Sequence, residues 1–555
     1  MKTRTILIAA LLLAATVTYA APPAEETKLV LFVVVDGLRY DSLHRDCPRL
    51  GPDGFNRLLR EGVEYRQALY GHANTFTAVG HATLLTGTYT PQHGIAGNYW
   101  YAPQTGDRIY AVGDPAHPLI GQPPDAPGGR SPVHLLASTF GDELVVASGG
   151  RSRVFGVSGK DRAAILPAGH LGQAYWYDPN AVHFVTSTYY RQGYPDWVTA
   201  WHQTKPAERY REATWSLLRP ADDYANREDD RPGEKGYKQL GRTFPHALAG
   251  GNAEDFGAVL RYTPFSDDLL LAFTKELVRN EQLGQRDAVD LLAVSFSAMD
   301  YIQHGWGVRS LEAEDNLLRV DRSLADLLHF LDETVGPNRT LVVLTADHGF
   351  DDIPEEWQRL GFDAGRHDPK ELLARANADL REHYRTTEDL VLSFWPPALY
   401  LDQAVLARLN LTAAEVEPVL ARVMLAQPGI ALAVTRGDLL TGRLPDDPIH
   451  RRVQMAFHPK RSGNVLVVQD QFWYLYTDPV VDATTHGSPY HYDVHVPLIF
   501  AGPGIRPGVV QRPVDPAEAA AALSGRLRIA APSKAMPTTL LEVLGTPAPA
   551  AAPHP

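Results

Sequence analysis

Five short runs of this sequence are dominated by apolar and β-branched residues: KLVLFVVV at 28–35, RVFGVS at 153–158, LLAVSF at 291–296, TLVVLT at 340–345 and VPLIFA at 496–501. Runs of this length without strict polar alternation mark strands buried on both faces, as in a parallel sheet. Between them the period changes. In 311–332, Leu317, Val320, Leu324, Leu327 and Leu331 recur every three or four residues and share one helix face. Buried strands alternating with amphipathic helices predict an α/β fold, a central, mostly parallel sheet sandwiched by helices.

Folds of this kind place their chemistry beyond the carboxyl ends of the strands. Asp36, Lys160, Asp300 and Asp347-His348 each closely follow one of the apolar runs. Four polar clusters far apart in the chain are therefore expected along one edge of one sheet. Asp300 and His304 stand four apart, a spacing that converges if the segment turns helically. His486 lies in THGSPYHYD, a turn rich in Gly, Ser and Pro. With Asp36, Asp347 and His348, these residues form an oxygen and nitrogen donor set suited to zinc, enough for two ions roughly 4 Å apart. The stretch AVGHATLL after Thr77 reads as the first turns of a helix. Its amino-terminal field favours an anion beside a hydroxyl. By spacing alone Thr75 competes equally with Thr77, and either threonine could be a plain helix cap.

Composition bounds the rest. The chain has 555 residues, 44% hydrophobic and 21% charged, the profile of a globular protein. That is more than one compact core needs, so a large domain with insertions is expected over 21–545. The stretch 171–280, rich in Tyr, Trp, Arg and Pro, reads as an inserted cap. The stretch 360–480, with helical patches at 370–384 and 413–426, reads as a second insertion. The Pro/Ala tail 546–555 cannot bury a core. Residues 1–20 read as a signal peptide: Lys2 and Arg4, the apolar run Ile6–Val17, then Thr18-Tyr19-Ala20. The run is short for a bilayer span. A periplasmic or secreted protein follows, with no membrane partner. A net charge of −13 without basic stripes argues against nucleic acid. The lone Cys47 excludes an intramolecular disulfide and leaves any metal to oxygen and imidazole. No heptad or exchangeable arm is visible, so a monomer is expected.

The pieces VVVDGLRYD, TFTAVGHATLLTGTYTPQHGIAGN, SGKDRAAILPAG, SAMDYIQHGWG, TADHGF and THGSPYHYDVHVPLIF occur in this order between residues 32 and 500. Together they resemble the alkaline phosphatase superfamily, and within it the phosphate-irrepressible alkaline phosphatases with a threonine nucleophile. The resemblance implies one zinc ion on Asp36, Thr77, Asp347 and His348, and a second on Asp300, His304 and His486. It makes Thr77 a metal-activated nucleophile, forming a phosphothreonine intermediate that a zinc-bound hydroxide hydrolyses. It assigns Asn98, Lys160 and Arg162 to the non-bridging phosphoryl oxygens, where an arginine can grip the additional charged oxygen of a monoester. Type I nucleotide phosphodiesterases and pyrophosphatases resemble the chain around Asp36, Thr77 and Asp300 but lack the Lys-x-Arg pair. They supply the alternative activity on the same two-metal site. Hydrolysis of varied small-molecule phosphate monoesters is the expected function, because the phosphoryl group itself is what is recognised.

Some residues depart from the pattern or only imitate a motif. Val79 stands where many relatives have proline, which an early helical position favours but does not require. Cys47-Pro48-Arg49 only superficially resembles a sulfatase motif. His72, His81, His93, His491 and His495 match no ligand position and are expected in turns or the core. Tyr301 and Asp493 are placed to orient ligands.

Overall fold

The structure, a computed structural model, describes residues 27–544 apart from 103–104, 124–125 and 477–480. The expected signal peptide and tail lie outside the described residues. All five apolar runs become strands of one ten-stranded sheet. In chain order its strands are β1 (Leu29–Val35), β2 (Val63–Leu69), β3 (Val154–Ser158), β4 (Gln173–Asp178), β5 (His183–Val185), β6 (Asp290–Phe296), β7 (Thr340–Thr345), β8 (His495–Val496), β9 (Leu498–Ala501) and β10 (Gly508–Val514). The sheet order is β8-β2-β9-β7-β1-β6-β3-β4-β5, with β10 also paired to β2. The centre, β7-β1-β6-β3-β4, is parallel throughout. All seven residues of β1 are buried.

The run at 496–501 differs from a buried parallel strand. It breaks at Pro497, which has no amide to give a ladder, and β9 runs antiparallel to β7. The chain has just passed the carboxyl edge of the sheet at His486, so it must run back down. Apolarity records burial but not direction.

Five helices flank the sheet near the carboxyl edge: α1 (Thr77–Thr86), α2 (Asp161–Ala168), α3 (Phe265–Asn280), α4 (Ala298–Trp306) and α5 (Leu311–Thr334). The periodic segment from 311 is α5, whose amino end is capped by Ser310 Oγ accepting from Ala313 N at 3.0 Å. Helix α1 has no Asp, Glu, Lys or Arg and every position is buried, the state expected of a helix packed on all sides. The segment 171–280 is not all cap. β4 and β5 belong to the main sheet, and α3 packs on β6 and β3. About 186–264 contributes no strand to the sheet, yet Val198, Tyr210, Trp215 and Leu260 pack into the main core. QAYWYD is an aromatic rather than aliphatic strand, which hid it. Within 360–480 lies a separate four-stranded sheet (Val391–Trp395, Ala398–Leu401, Val465–Gln469 and Ile430–Thr435). Helices Pro369–Tyr384 and Ala413–Leu425 cover it and share its own core. No helix among the described residues is long and apolar enough to cross a membrane.

Helix α1 approaches β7 so closely that one position admits no side chain. A Cβ on Gly80 would stand 2.1 Å from the Asp347 carbonyl oxygen. Gly80→Ala is therefore expected to push α1 off the sheet edge and to destabilise the protein by about 1–3 kcal/mol, as overpacked cores do. Denaturant unfolding measures this. Unchanged stability would mean that α1 moves freely against Asp347.

Candidate active site and metal centre

Because β3, β6, β1 and β7 are neighbouring parallel strands, the residues after their carboxyl ends must meet. Asp36 is the first residue past β1, and its amide donates to the Phe296 carbonyl at 2.9 Å. Gly37 turns the chain at φ +77°, with its own amide donating to Asp347 Oδ1 at 3.1 Å. Gln303 of α4 donates to the Gly37 carbonyl at 3.1 Å, which ties this turn to the helix carrying Asp300 and His304. His486 arrives on a loop stitched down at several points. Thr484 Oγ1 donates to the Gln303 carbonyl at 2.8 Å, and Asp493 Oδ2 accepts from Gly487 and Ser488 amides at 3.0 and 2.7 Å.

The histidines share one device. Nδ1 of His304, His348 and His486 lies 2.9, 2.9 and 2.6 Å from the carbonyls of Thr484, Gly349 and Thr75. Each Nδ1 therefore carries the proton, and each Nε2 is left as a lone pair. Those Nε2 atoms turn toward carboxylates. His304 and His486 stand 3.5 and 3.4 Å from Asp300 Oδ1. His348 stands 3.6 Å from Asp36 Oδ1, 3.4 Å from Asp347 Oδ2 and 3.9 Å from Asp300 Oδ1.

Two groups of donors are compact enough for an ion: Asp300, His304 and His486; and Asp36, Asp300 and His348. The first is the expected second-ion set. The second contains Asp36 and His348 from the other expected set, with Asp300 reaching across and Asp347 beside it. The donors fit divalent cations on a further count. Asp36 Oδ1, Asp300 Oδ1 and His348 Nε2 are buried without a hydrogen-bond partner, a state that ordinary interiors avoid.

Electrostatics agree. Burial, with repulsion from Asp300 and Asp347, pushes the Asp36 carboxyl well above the usual carboxylate range. Burial also opposes ionisation of Asp300, but the adjacent Lys160 ammonium favours the charged form, and that carboxyl lies well below the usual range. Burial lowers His348 to about 3, so it is neutral at any ordinary pH. Among the described residues, the fixed cation in contact with these three buried carboxyl groups is Lys160, beside Asp36 and Asp300, so the cluster has an excess of acidic groups that bound cations would offset.

Thr77 is the first residue of α1 and 1% exposed. Its rival Thr75 donates its hydroxyl to the Ser488 carbonyl at 3.0 Å. Arg162 Nη2 lies 3.5 Å from Thr77 Oγ1. Asn98 Oδ1 accepts from the Ala78 amide at 2.9 Å, which caps the helix and leaves the Asn98 amide nitrogen for other partners. Lys160, the expected phosphoryl contact, already has partners. Its ammonium lies 2.5 Å from Asp300 and 2.7 Å from Asp36, among the carboxylates.

A cavity of about 240 Å³ opens over this machinery. Asn98, Arg162, His304 and His486 line one side, and Phe76, Tyr99, Trp395 and Tyr476 form an aromatic rim. Arg108 lies over Tyr99 and Trp395 at 3.9 and 4.3 Å. Sequence reasoning missed this rim, since Trp395 comes from the inserted sheet and carries no motif. It also passed over His81, which is wholly buried. His81 Nδ1 is 2.9 Å from the Thr77 carbonyl and 3.2 Å from Asp347 Oδ2, and Nε2 is 2.9 Å from Ser295 Oγ. The four-residue step from Thr77, the same as that from Asp300 to His304, was the available signal.

Asp300 belongs to both donor groups. Asp300→Ala is expected to strip metal from both, whereas His304→Ala should empty only one. Mass-spectrometric metal content after dialysis separates the cases. Equal losses in the two variants would remove Asp300 as a shared ligand.

Residues 30–489 match the type I phosphodiesterase / nucleotide pyrophosphatase family. A Myroides odoratus protein named calcium-transporting ATPase is 33% identical, over 95% of this chain and 96% of that one. Alkaline phosphatase PafA of Elizabethkingia meningoseptica is 32% identical, over 97% of this chain and 98% of its own. A crystal structure of wild-type alkaline phosphatase PafA superposes with a TM-score of 0.86 at 31% identity, covering 95% of this chain and all of that one. That enzyme has also been solved with substitutions at a threonine, an asparagine, a lysine and an arginine. Those four stand at the same intervals along its chain as Thr77, Asn98, Lys160 and Arg162 do here.

Proposed function

The chain belongs to the type I phosphodiesterase / nucleotide pyrophosphatase family, within the alkaline phosphatase superfamily, and from that membership we propose how it works: as a phosphate monoester hydrolase whose nucleophile is the Thr77 hydroxyl. Monoester hydrolysis is supported by the named phosphatases that it resembles over nearly its whole length. The single observation that carries the nucleophile assignment is the position of Thr77 Oγ1. It begins a buried helix beside an arginine, while Thr75 is bonded away.

Two zinc ions fit the donors. Asp36, Asp347, His348 and Thr77 would hold one, and Asp300, His304 and His486 the other, with Asp300 able to serve both groups. When bound, the metal supplies Lewis-acid charge that lowers the pKa of a coordinated hydroxyl. Everything else falls to the chain itself. The start of α1 offers a positive helix end to the phosphoryl group. Asn98 and Arg162 line the cavity beside Thr77 and donate to the non-bridging oxygens. Lys160 reaches the phosphoryl group by releasing one of its two carboxylates. His81 holds Asp347 and the first turn of α1 in register. The attack breaks the ester bond, and the leaving alcohol departs into the aromatic-rimmed cavity. Water then cleaves the phosphothreonine and regenerates the Thr77 hydroxyl.

The family description also names diesterases, which must place a second ester group. The Lys160-x-Arg162 pair, with no carboxylate at salt-bridge distance of the Arg162 guanidinium among the described residues, favours a dianionic monoester. We assign the protein to the periplasm or the exterior because of its basic-then-apolar first twenty residues.

The test is kcat/KM for p-nitrophenyl phosphate against bis-p-nitrophenyl phosphate on the zinc-loaded protein. A strong monoester preference is expected; the reverse preference would move the protein to the diesterase branch. Thr77→Ala should abolish the phosphoenzyme, trapped by acid quench, while leaving bound metal largely in place. Normal turnover in that variant would remove Thr77 as nucleophile. Arg162→Ala should cost the monoester reaction roughly 2–4 kcal/mol of transition-state binding, with a much smaller loss on the diester. Equal losses would make Arg162 structural.

A further inference from the structure

A second cavity, of about 390 Å³, lies on the other side of Arg162. The two cavities share Arg162 and Tyr99 as walls. The second also reaches Lys160, Arg130, Arg261 and Tyr301. Both signs of charge line it, and the question is which groups are already engaged.

Its carboxylates are. Asp161 accepts from Arg130 Nε at 2.6 Å, from the Tyr110 hydroxyl at 2.5 Å and from the Arg162 amide at 2.8 Å. Asp178 Oδ1 accepts from the amides of Asn180 and Ala181 at 2.7 and 3.0 Å. Two of the guanidinium groups are not. Arg162 has only two contacts at 3.5 Å, to Tyr110 Oη and Thr77 Oγ1, and its Nε is buried without a partner. Arg261 makes one side-chain hydrogen bond, from Nη1 to Tyr301 Oη at 3.2 Å, and its Nε is likewise buried and unpartnered. Its guanidinium lies over the Tyr301 ring at 5.0 Å. Among the described residues, neither arginine has a carboxylate at salt-bridge distance. A guanidinium offers five donors in a fixed fork. Two such forks with unfilled donors, half-buried and facing one cavity, make a site for a tetrahedral oxyanion.

We propose that this cavity is a second anion subsite, and that inorganic phosphate binds there through Arg261 and the outer face of Arg162 while the reaction cavity is occupied. The proposal rests on the monoesterase reading only in naming phosphate as the anion that the enzyme itself generates. No covalent step is involved.

Equilibrium dialysis of the zinc-loaded enzyme with radiolabelled inorganic phosphate tests this, alongside Arg261→Ala, a residue outside the reacting groups. The wild-type enzyme is expected to bind about two phosphates per chain, and Arg261→Ala about one, with the remaining affinity within roughly threefold of the wild type's tighter site. Saturation at one phosphate per wild-type chain would overturn the proposal, whatever the variant does. Two phosphates bound by Arg261→Ala with unchanged affinities would overturn it as well. Turnover of p-nitrophenyl phosphate, measured on the same wild-type sample, keeps the two readings apart. An inactive enzyme that binds two phosphates fails as a monoesterase and keeps the second subsite, while an active enzyme that binds one does the opposite.

Discussion

The structure depends on keeping Asp36, Asp300 and Asp347 together, all buried at one sheet edge. Like charges this close repel strongly in a low-dielectric setting. The fold holds them by covalent and backbone constraints. Each follows a parallel strand, and β1 joins β6 and β7 by unbroken ladders. Lys160 relieves part of the repulsion, and the bare Nε2 atoms of three histidines offer the rest of a cation's coordination. The sheet supplies the stability, and the edge concentrates a charge imbalance that bound cations would offset. Stability and function are therefore drawn from different parts of the same strands.

Helix α1 is the second half of that arrangement. It brings a hydroxyl, an uncharged apolar body and a positive end against the carboxylates. Gly80 permits the approach, and His81 binds the helix to Asp347 and to Ser295 of β6. The Thr77 hydroxyl is thus positioned by packing over a full helical turn and not by a flexible loop.

Most of the sheet and most of the site were legible in the sequence, for a common reason. Doubly buried parallel strands leave unbroken apolar runs, and polar residues at their ends stand out against them. What stayed hidden obeys other rules. β4 is buried through Tyr and Trp side chains, which resemble a cap as much as a strand. β9 reverses direction, which hydrophobicity does not encode. Spacing alone left Thr75 and Thr77 equal, because the Ser488 carbonyl that engages Thr75 is far away in sequence. The Lys160 ammonium lies among carboxylates because of geometry that its motif leaves open. His81 was read as a core residue, and it is one, but the core at that point is the wall of the site.

The inserted sheet at 391–469 has its own hydrophobic core, yet it reaches the reaction cavity through Trp395 alone of its strand residues that line it. The groups assigned to bond breaking sit on the main sheet edge, while part of the rim that meets the leaving group is borne by a piece of chain that folds around a different centre. Drift within that piece can reshape the opening without moving a single metal donor. Lineages that share this edge can thus diverge in which esters they favour while their chemistry stays fixed. Appetite and catalysis are here inherited on separate stretches of polypeptide.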